Sequence, residues 1–164
     1  MTASKAVLHE HLGGLTPGEL GLVPEQLADT VPGDCLLSVL GIELTHAGPG
    51  AARATMLVSR THLNQSGIIQ GGAVIALADA AAGWATDLAV PADAGFTTLE
   101  LKANLLSAGR DGDHLVALAR PVHLGRTTVV LDVTVMKAEQ EDKTQGEQRL
   151  TARFTCTQMV LESR

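Results

Sequence analysis

Residues 71–88 (GGAVIALADAAAGWATDL) leave almost no polar face on the helix their spacing predicts. Val74, Ile75, Leu77, Ala78, Ala81, Ala82, Trp84, Ala85 and Leu88 surround it, and a helix that is apolar nearly all round is a buried helix. Pro91 terminates it. At ~18 residues and 1.5 Å per residue it is roughly 27 Å long. Such a rod needs a surface to enclose it.

The remaining sequence reads as strands. Ile42, Leu44 and His46 alternate with Gly41, Glu43 and Thr45, Gly48-Pro49-Gly50 makes a turn, and Ala52, Ala54, Met56 and Val58 alternate with Arg53, Thr55 and Leu57, which is a hairpin pattern. After the helix, Thr97, Leu99, Leu101, Ala103 and Leu105 form one face, with Thr98, Glu100, Lys102 and Asn104 opposite. Leu115, Ala117 and Ala119, then Val129, Leu131, Val133 and Val135, then Leu150, Ala152, Phe154 and Cys156 repeat the period of two. The connectors near 107–113, 123–125 and 139–147 are short and polar, as hairpin turns are; the charges at 139–143 read as a solvated tip. The order is β-β-α-β-β-β-β. An antiparallel sheet with one apolar face must bury it, and the helix is the apolar element available. The expected class is α+β, one sheet wrapped around a long central helix, over residues 32–164. Residues 1–31, loaded with Gly13-Gly14, Pro17-Gly18, Gly21 and Pro24, read as a partly irregular N-terminal extension with a short helix near 24–29. Pro32-Gly33-Asp34 opens a brief helix that presents Cys35, Leu36, Val39 and Leu40 on one face and stops at Gly41.

Composition removes several functions. The 164 residues suit one domain, and 12 Lys plus Arg against 18 Asp plus Glu give a net charge of −6, the wrong sign for a protein that neutralises phosphates along duplex DNA. Aromatic residues, at 2%, provide no stacking platform for single strands. The six histidines lack ligand spacing, so no metal is expected, and the nucleophile-elbow, phosphate-loop and dinucleotide motifs are missing. Cys35 and Cys156 read as small core residues. No apolar run reaches the ~20 residues that span a bilayer, and the N-terminus has no secretory pattern, so a soluble cytoplasmic protein is expected. Charged residues make up 18%, below the usual ~25%, which points to surface covered by other subunits.

Two features carry chemistry. Gly71-Gly72 opens the central helix, whose free N–H groups and positive dipole end suit a developing negative charge approached closely through glycine. Asp79 lies two turns on among apolar residues, where a carboxylate costs several kcal/mol unless it is paired or wetted by a cleft. The spacing alone leaves open whether Asp79 does chemistry, faces a polar interface or caps a neighbouring backbone.

The pattern Asn64-x-x-Gly67-x-x-Gln70-Gly71-Gly72, followed by Leu77-x-Asp79, resembles the hotdog-fold acyl-CoA thioesterases of the phenylacetic-acid-degradation type, relatives of 4-hydroxybenzoyl-CoA thioesterase. The likeness runs over about 35–160 and takes in the strand at Thr97-Thr98-Leu99-Glu100-Leu101 and the late Gly125-Arg126-Thr127-Thr128. It implies a hotdog fold and hydrolysis of a small or medium acyl- or aryl-CoA without a cofactor. Asp79 is then the general base or nucleophile, and the Gly71 N–H polarises the thioester carbonyl. Asn64 binds that carbonyl or orders the water, and Thr97 supports the water. The resemblance further implies substrate contacts from Gln70, Gly72, His123, Gly125, Arg126 and Thr127. The partners implied are acyl-CoA and a second copy of the chain, in a dimer that pairs again as a homotetramer, with no nucleic acid and no membrane. Gln70 departs from the family histidine; it keeps a donor and an acceptor but does not change charge near neutral pH. That departure makes a weakly active or non-catalytic acyl-CoA-binding protein the alternative. A hotdog dehydratase pairs its Asp with a His five residues on, where this chain has Trp84.

Overall fold

The computed structural model describes residues 3–24, 35–138 and 149–161. Helix α1 spans Ala3–Leu12, a one-turn helix α2 Leu36–Val39 and the central helix α3 Gly71–Ala89. The strands are β1 (Gly21–Leu22), β2 (Ile42–Gly48), β3 (Ala51–Leu57), β4 (Gly95–Leu105), β5 (His114–Leu124), β6 (Thr128–Lys137) and β7 (Leu150–Leu161). Among the described residues they form one antiparallel sheet in the order β1-β2-β3-β5-β6-β7-β4. The six strands expected from alternation are present, and the two-residue β1 extends the far edge.

The sheet curls around α3, which touches β2 to β7. Ala73, Val74, Leu77, Ala78, Ala81, Ala82, Ala85 and Leu88 face the sheet and are buried against Met56, Leu115, Leu131, Val133 and Phe154. Five alanines on that face let the helix lie close to the strands. The helix is not enclosed all round, however. Gly72 and Ile75 are exposed, and Ala76, Asp79, Ala80 and Gly83 are half-buried, forming a stripe at helical spacing turned away from the sheet. Apart from Asp79, the residues of this stripe are small or apolar, so the sequence pattern does not distinguish it from the core face.

The N-terminal segment, read as partly irregular, contributes α1 and β1, and its Leu8, Leu12 and Val23 join the core. Lys5 Nζ sits 2.9 Å from Asp87 Oδ1 and donates to the Ala94 carbonyl at 2.7 Å, while His9 Nε2 donates to the Asp87 carbonyl at 2.8 Å. A cation is favoured there because the C-terminal end of α3 is the negative end of its dipole. The brief helix α2 corrects a second reading. Leu36 and Val39 point outward, and Leu37 and Leu40 pack on the core instead. Gly41 then leaves the helix at φ +59, a left-handed step that glycine takes without strain. The helix read near 24–29, its neighbour Pro32-Gly33-Asp34 and the charged tip at 139–143 lie outside the described residues.

Candidate active site

The loop before α3 is closed by its own backbone. His62 Nδ1 accepts the Ser59 N–H at 2.9 Å, and the His62 carbonyl accepts the Gln70 N–H at 2.7 Å. Asn64 N–H donates to the Ile68 carbonyl at 2.8 Å across a turn in which Gly67 adopts φ +72. The Asn64 side chain completes the turn, since Oδ1 accepts the Ser66 N–H at 2.9 Å, with the Ile68 N–H at 3.4 Å. With its oxygen committed to N–H groups, the carboxamide must present its NH2 elsewhere. Asn64 lines a cavity of about 330 Å³ together with Ile68, Gly71, Val74, Leu105 and Thr151.

Gly71 starts α3 at the edge of this cavity. A Cβ there would stand 2.7 Å from Leu105 Cδ1, so a side chain at 71 would collide with β4. Gln70 makes no side-chain cap, and its carbonyl already accepts the Ala73 N–H at 3.0 Å, so the N–H groups at Gly71 and Gly72, which have no acceptor within the helix, face outward at its start. Gln70 and Gly72 are exposed beside it.

Asp79 lies further along the outward stripe, and its Oδ1 is 3.2 Å from the Thr98 hydroxyl. Thr98 takes the place expected for Thr97. The cause is a bulge in β4 between Thr98 and Glu100: Thr98 opposes Gln158, yet Leu101 opposes Cys156. Opposed residues share a face, so Thr98 and Leu101 both point toward the helix although their numbers differ in parity. Counting back from Leu101 by twos reaches Thr97 only if the strand has no extra residue. Thr97 is exposed and opposes Met159.

A second residue not anticipated is Gln158, which is completely buried. Its Oε1 is 3.0 Å from the Thr98 hydroxyl, and its Nε2 is 3.2 Å from Cys156 Sγ. Burial, and next the charge of Asp79, push the Cys156 thiol up to about 11, against the hydrogen bond from Gln158. The signal was available. The inward series Ala152, Phe154, Cys156 arrives at position 158, and a glutamine there interrupts a core face.

Gly125, Arg126 and Thr127 form the β5–β6 turn, next to His123 at the end of β5. Gly125 packs against the His123 ring, and the Thr127 carbonyl accepts the Val160 N–H at 2.9 Å. Through Thr128, Met159 and Thr97, which oppose one another in register, this turn borders the start of β4, the end that carries Thr98. The candidate residues thus fall into two groups: Asp79, Thr98 and the β5–β6 turn at one end of β4, and Asn64, Gly71 and the cavity at the other. Eight residues of helix separate Asp79 from Gly71, a rise of about 12 Å, too far for both to touch one carbonyl group. Among the described residues no group of three His, Cys, Asp or Glu is placed to hold a metal ion, and no helix is long and apolar enough to cross a membrane.

A single antiparallel sheet curled around one central helix is the hotdog thioesterase fold. The profile of the Thioesterase superfamily matches residues 66–144. The acyl-coenzyme A thioesterase PaaI of Escherichia coli is 31% identical over 109 residues, which is 66% of this chain and 75% of PaaI. The solved structure of E. coli PaaI aligns with a TM-score of 0.68 at 25% identity, over 79% of this chain and 86% of that one. The thioesterase HI1161 of Haemophilus influenzae aligns with a TM-score of 0.74 at 26% identity, over 87% and 92% of the two chains. The protein smu.793 of Streptococcus mutans, solved with acetyl-CoA bound, gives 0.65 at 29% identity over 75% and 90%. The chain belongs to the thioesterase superfamily.

Proposed function

We propose that the protein hydrolyses a small or medium acyl- or aryl-CoA thioester at a site completed by two copies of the chain. The observation that carries this reading is the split geometry, with the carboxylate and the helix N-terminus on opposite ends of one edge strand. β4 lies at the sheet edge, and its other side pairs with no described strand. Leu99 and Leu105 along it, and Leu106 just beyond, are more than half exposed, and unpaired apolar edges recruit further strands. Two β4 strands paired antiparallel in a register centred between Leu101 and Lys102 set Thr98 of one copy opposite Leu105 of the other. Asp79 of the first copy then approaches Gly71 and Asn64 of the second, and the outward stripes of the two α3 helices are covered.

In that site the Gly71 N–H and the Asn64 NH2 hold the thioester oxygen as it gains charge, which is the arrangement in which preorganised donors contribute most. Asp79 either takes a proton from water as it attacks the carbonyl carbon, or attacks that carbon itself and is released by water. Either route expels the CoA thiolate and leaves a free acid. The cavity beside Gly71 fits a short acyl or aryl group. Arg126, at the Asp79 end, is suited to the CoA phosphates. Gln70 and Gly72, at the helix start, border the thioester.

A panel of acyl-CoAs with a thiol-trapping dye tests the reading. Free CoA should appear, and Asp79→Asn should lower kcat by at least ~100-fold, within the range for a general base. Unchanged turnover in Asp79→Asn would remove the assignment. Acyl-CoA binding without thiol release would favour the second reading, a non-catalytic binder, which the exposed Gln70 in place of the family histidine supports.

A further inference from the structure

Gln158 is a polar side chain with no exposure, set on the core face of β7 beneath the group of residues that includes Asp79. A buried amide left unpaired is costly, so each of its ends must be matched. Its neighbours are the Thr98 hydroxyl at 3.0 Å and Cys156 Sγ at 3.2 Å. The Thr98 hydroxyl faces two acceptors, Gln158 Oε1 at 3.0 Å and Asp79 Oδ1 at 3.2 Å, and has one proton to give. Turning the amide about its last bond interchanges two groups of nearly equal shape and removes the conflict. Nε2 then donates to Thr98 Oγ1, and Oε1 accepts the thiol proton of Cys156. The thiol is equipped for that, because burial keeps it protonated at neutral pH. The Thr98 proton is thereby released to Asp79.

We infer that Gln158 is a positioning residue: its amide NH2 holds the Thr98 hydroxyl with the proton directed at Asp79, so that a one-way chain from Cys156 through Gln158 and Thr98 fixes one oxygen of the carboxylate and leaves the other for the reaction. Gln158 touches no substrate. It acts through Thr98, and Thr98 acts on Asp79. This rests on Asp79 being the acting carboxylate, and the experiment separates the two ideas.

Gln158→Met keeps the volume and removes the amide. It should lower kcat about tenfold with KM within twofold of the wild type, because the carboxylate loses its orientation while the acyl-CoA contacts remain. Thr98→Val should have the same effect, and Thr98→Ser should recover most of the loss. The Gln158→Met/Thr98→Val double variant should be no slower than either single variant; an additive, roughly hundredfold loss would overturn the chain, since residues acting through one another are not additive. An activity-independent arm follows the Gln158 side-chain NH2 resonances in the folded protein. They should be shifted and slow to exchange in the wild type, and should move in Thr98→Val, a change at an exposed site that leaves the core intact. Amide signals indifferent to Thr98→Val would overturn the proposal even if the enzyme is active, and even if Gln158→Met does not fold. Amide signals that respond, in a protein that releases no CoA from any thioester, would support the chain while removing the hydrolytic reading.

Discussion

Gly71→Ala tests whether the glycine serves packing or chemistry. The new Cβ would stand 2.7 Å from Leu105 Cδ1, about 1 Å inside ordinary carbon–carbon contact. The obstacle is the end of a half-exposed leucine, so it can rotate away, and the cost falls at the low end of the ~1–3 kcal/mol for overpacking. Alanine's helix preference over glycine offsets part of this, at most ~1 kcal/mol. Net destabilisation should be no more than about 1 kcal/mol, a fall in Tm of roughly 2–4 °C for a chain of this length. Activity should fall much further. The Cβ of a helical residue tilts toward the helix N-terminus, so the methyl enters the mouth of the cavity, where on the proposed reading the thioester oxygen reaches the N–H. Losing that donor should lower kcat ~100-fold. Thermal unfolding and CoA release, measured together, check both figures. Leu105→Ala in the same chain removes the collision and should restore Tm but not kcat. A double variant that regains most of the wild-type rate would show that glycine is there only for packing.

Other changes have defined outcomes. The folded Cys156 thiol, at about 11, binds its proton more tightly than an ordinary thiol near 9.0, so stability is fully present below pH 9 and declines as pH rises through 11; the loss is at most ~2.7 kcal/mol. Urea titrations of wild type and Cys156→Ala across that window should show this part of the decline in the wild type alone. Lys5→Met leaves the Asp87 carboxylate and the Ala94 carbonyl without their cation, and should cost about 1–3 kcal/mol in chemical denaturation. Gln70→Ala removes the side-chain contact proposed to the acyl-CoA and should lower kcat/KM roughly fivefold, the equivalent of about 1 kcal/mol for one hydrogen bond.

Period and punctuation alone revealed most of this architecture. The central helix was legible because Gly71-Gly72 and Pro91 bracket an apolar run, and the strands because their alternation is regular. The candidate residues drawn from the resemblance were picked out by the Asn64–Asp79 spacing, and the structure places them in two groups at opposite ends of β4. Local conflicts were not legible. The bulge at Thr98–Glu100 has no mark in a sequence that alternates smoothly through it, and it exchanged Thr97 for Thr98 beside Asp79. The outward stripe of α3 reads as core because Ile75, Ala76 and Ala80 are apolar whether a sheet or a second copy covers them. In α2, Leu36, Leu37, Val39 and Leu40 are all apolar, so the sequence could not show which pair packs inward. The N-terminal helix was hidden because its neighbours, Gly13-Gly14 and Pro17-Gly18, give the segment the composition of a loop.

The proposal that two copies share each site is tested most directly by mixing two dead variants. Asp79→Asn and Asn64→Leu should each lack activity as purified. Unfolded together and refolded in equal amounts, they should form mixed dimers in which one of the two sites draws its intact Asp79 from one chain and its intact Asn64 from the other. Half of the dimers, each with half of its sites working, should return about a quarter of the wild-type rate. If the refolded mixture stays as inactive as its components, Asp79 and Asn64 belong to the same chain's site, and the arrangement across two copies is wrong.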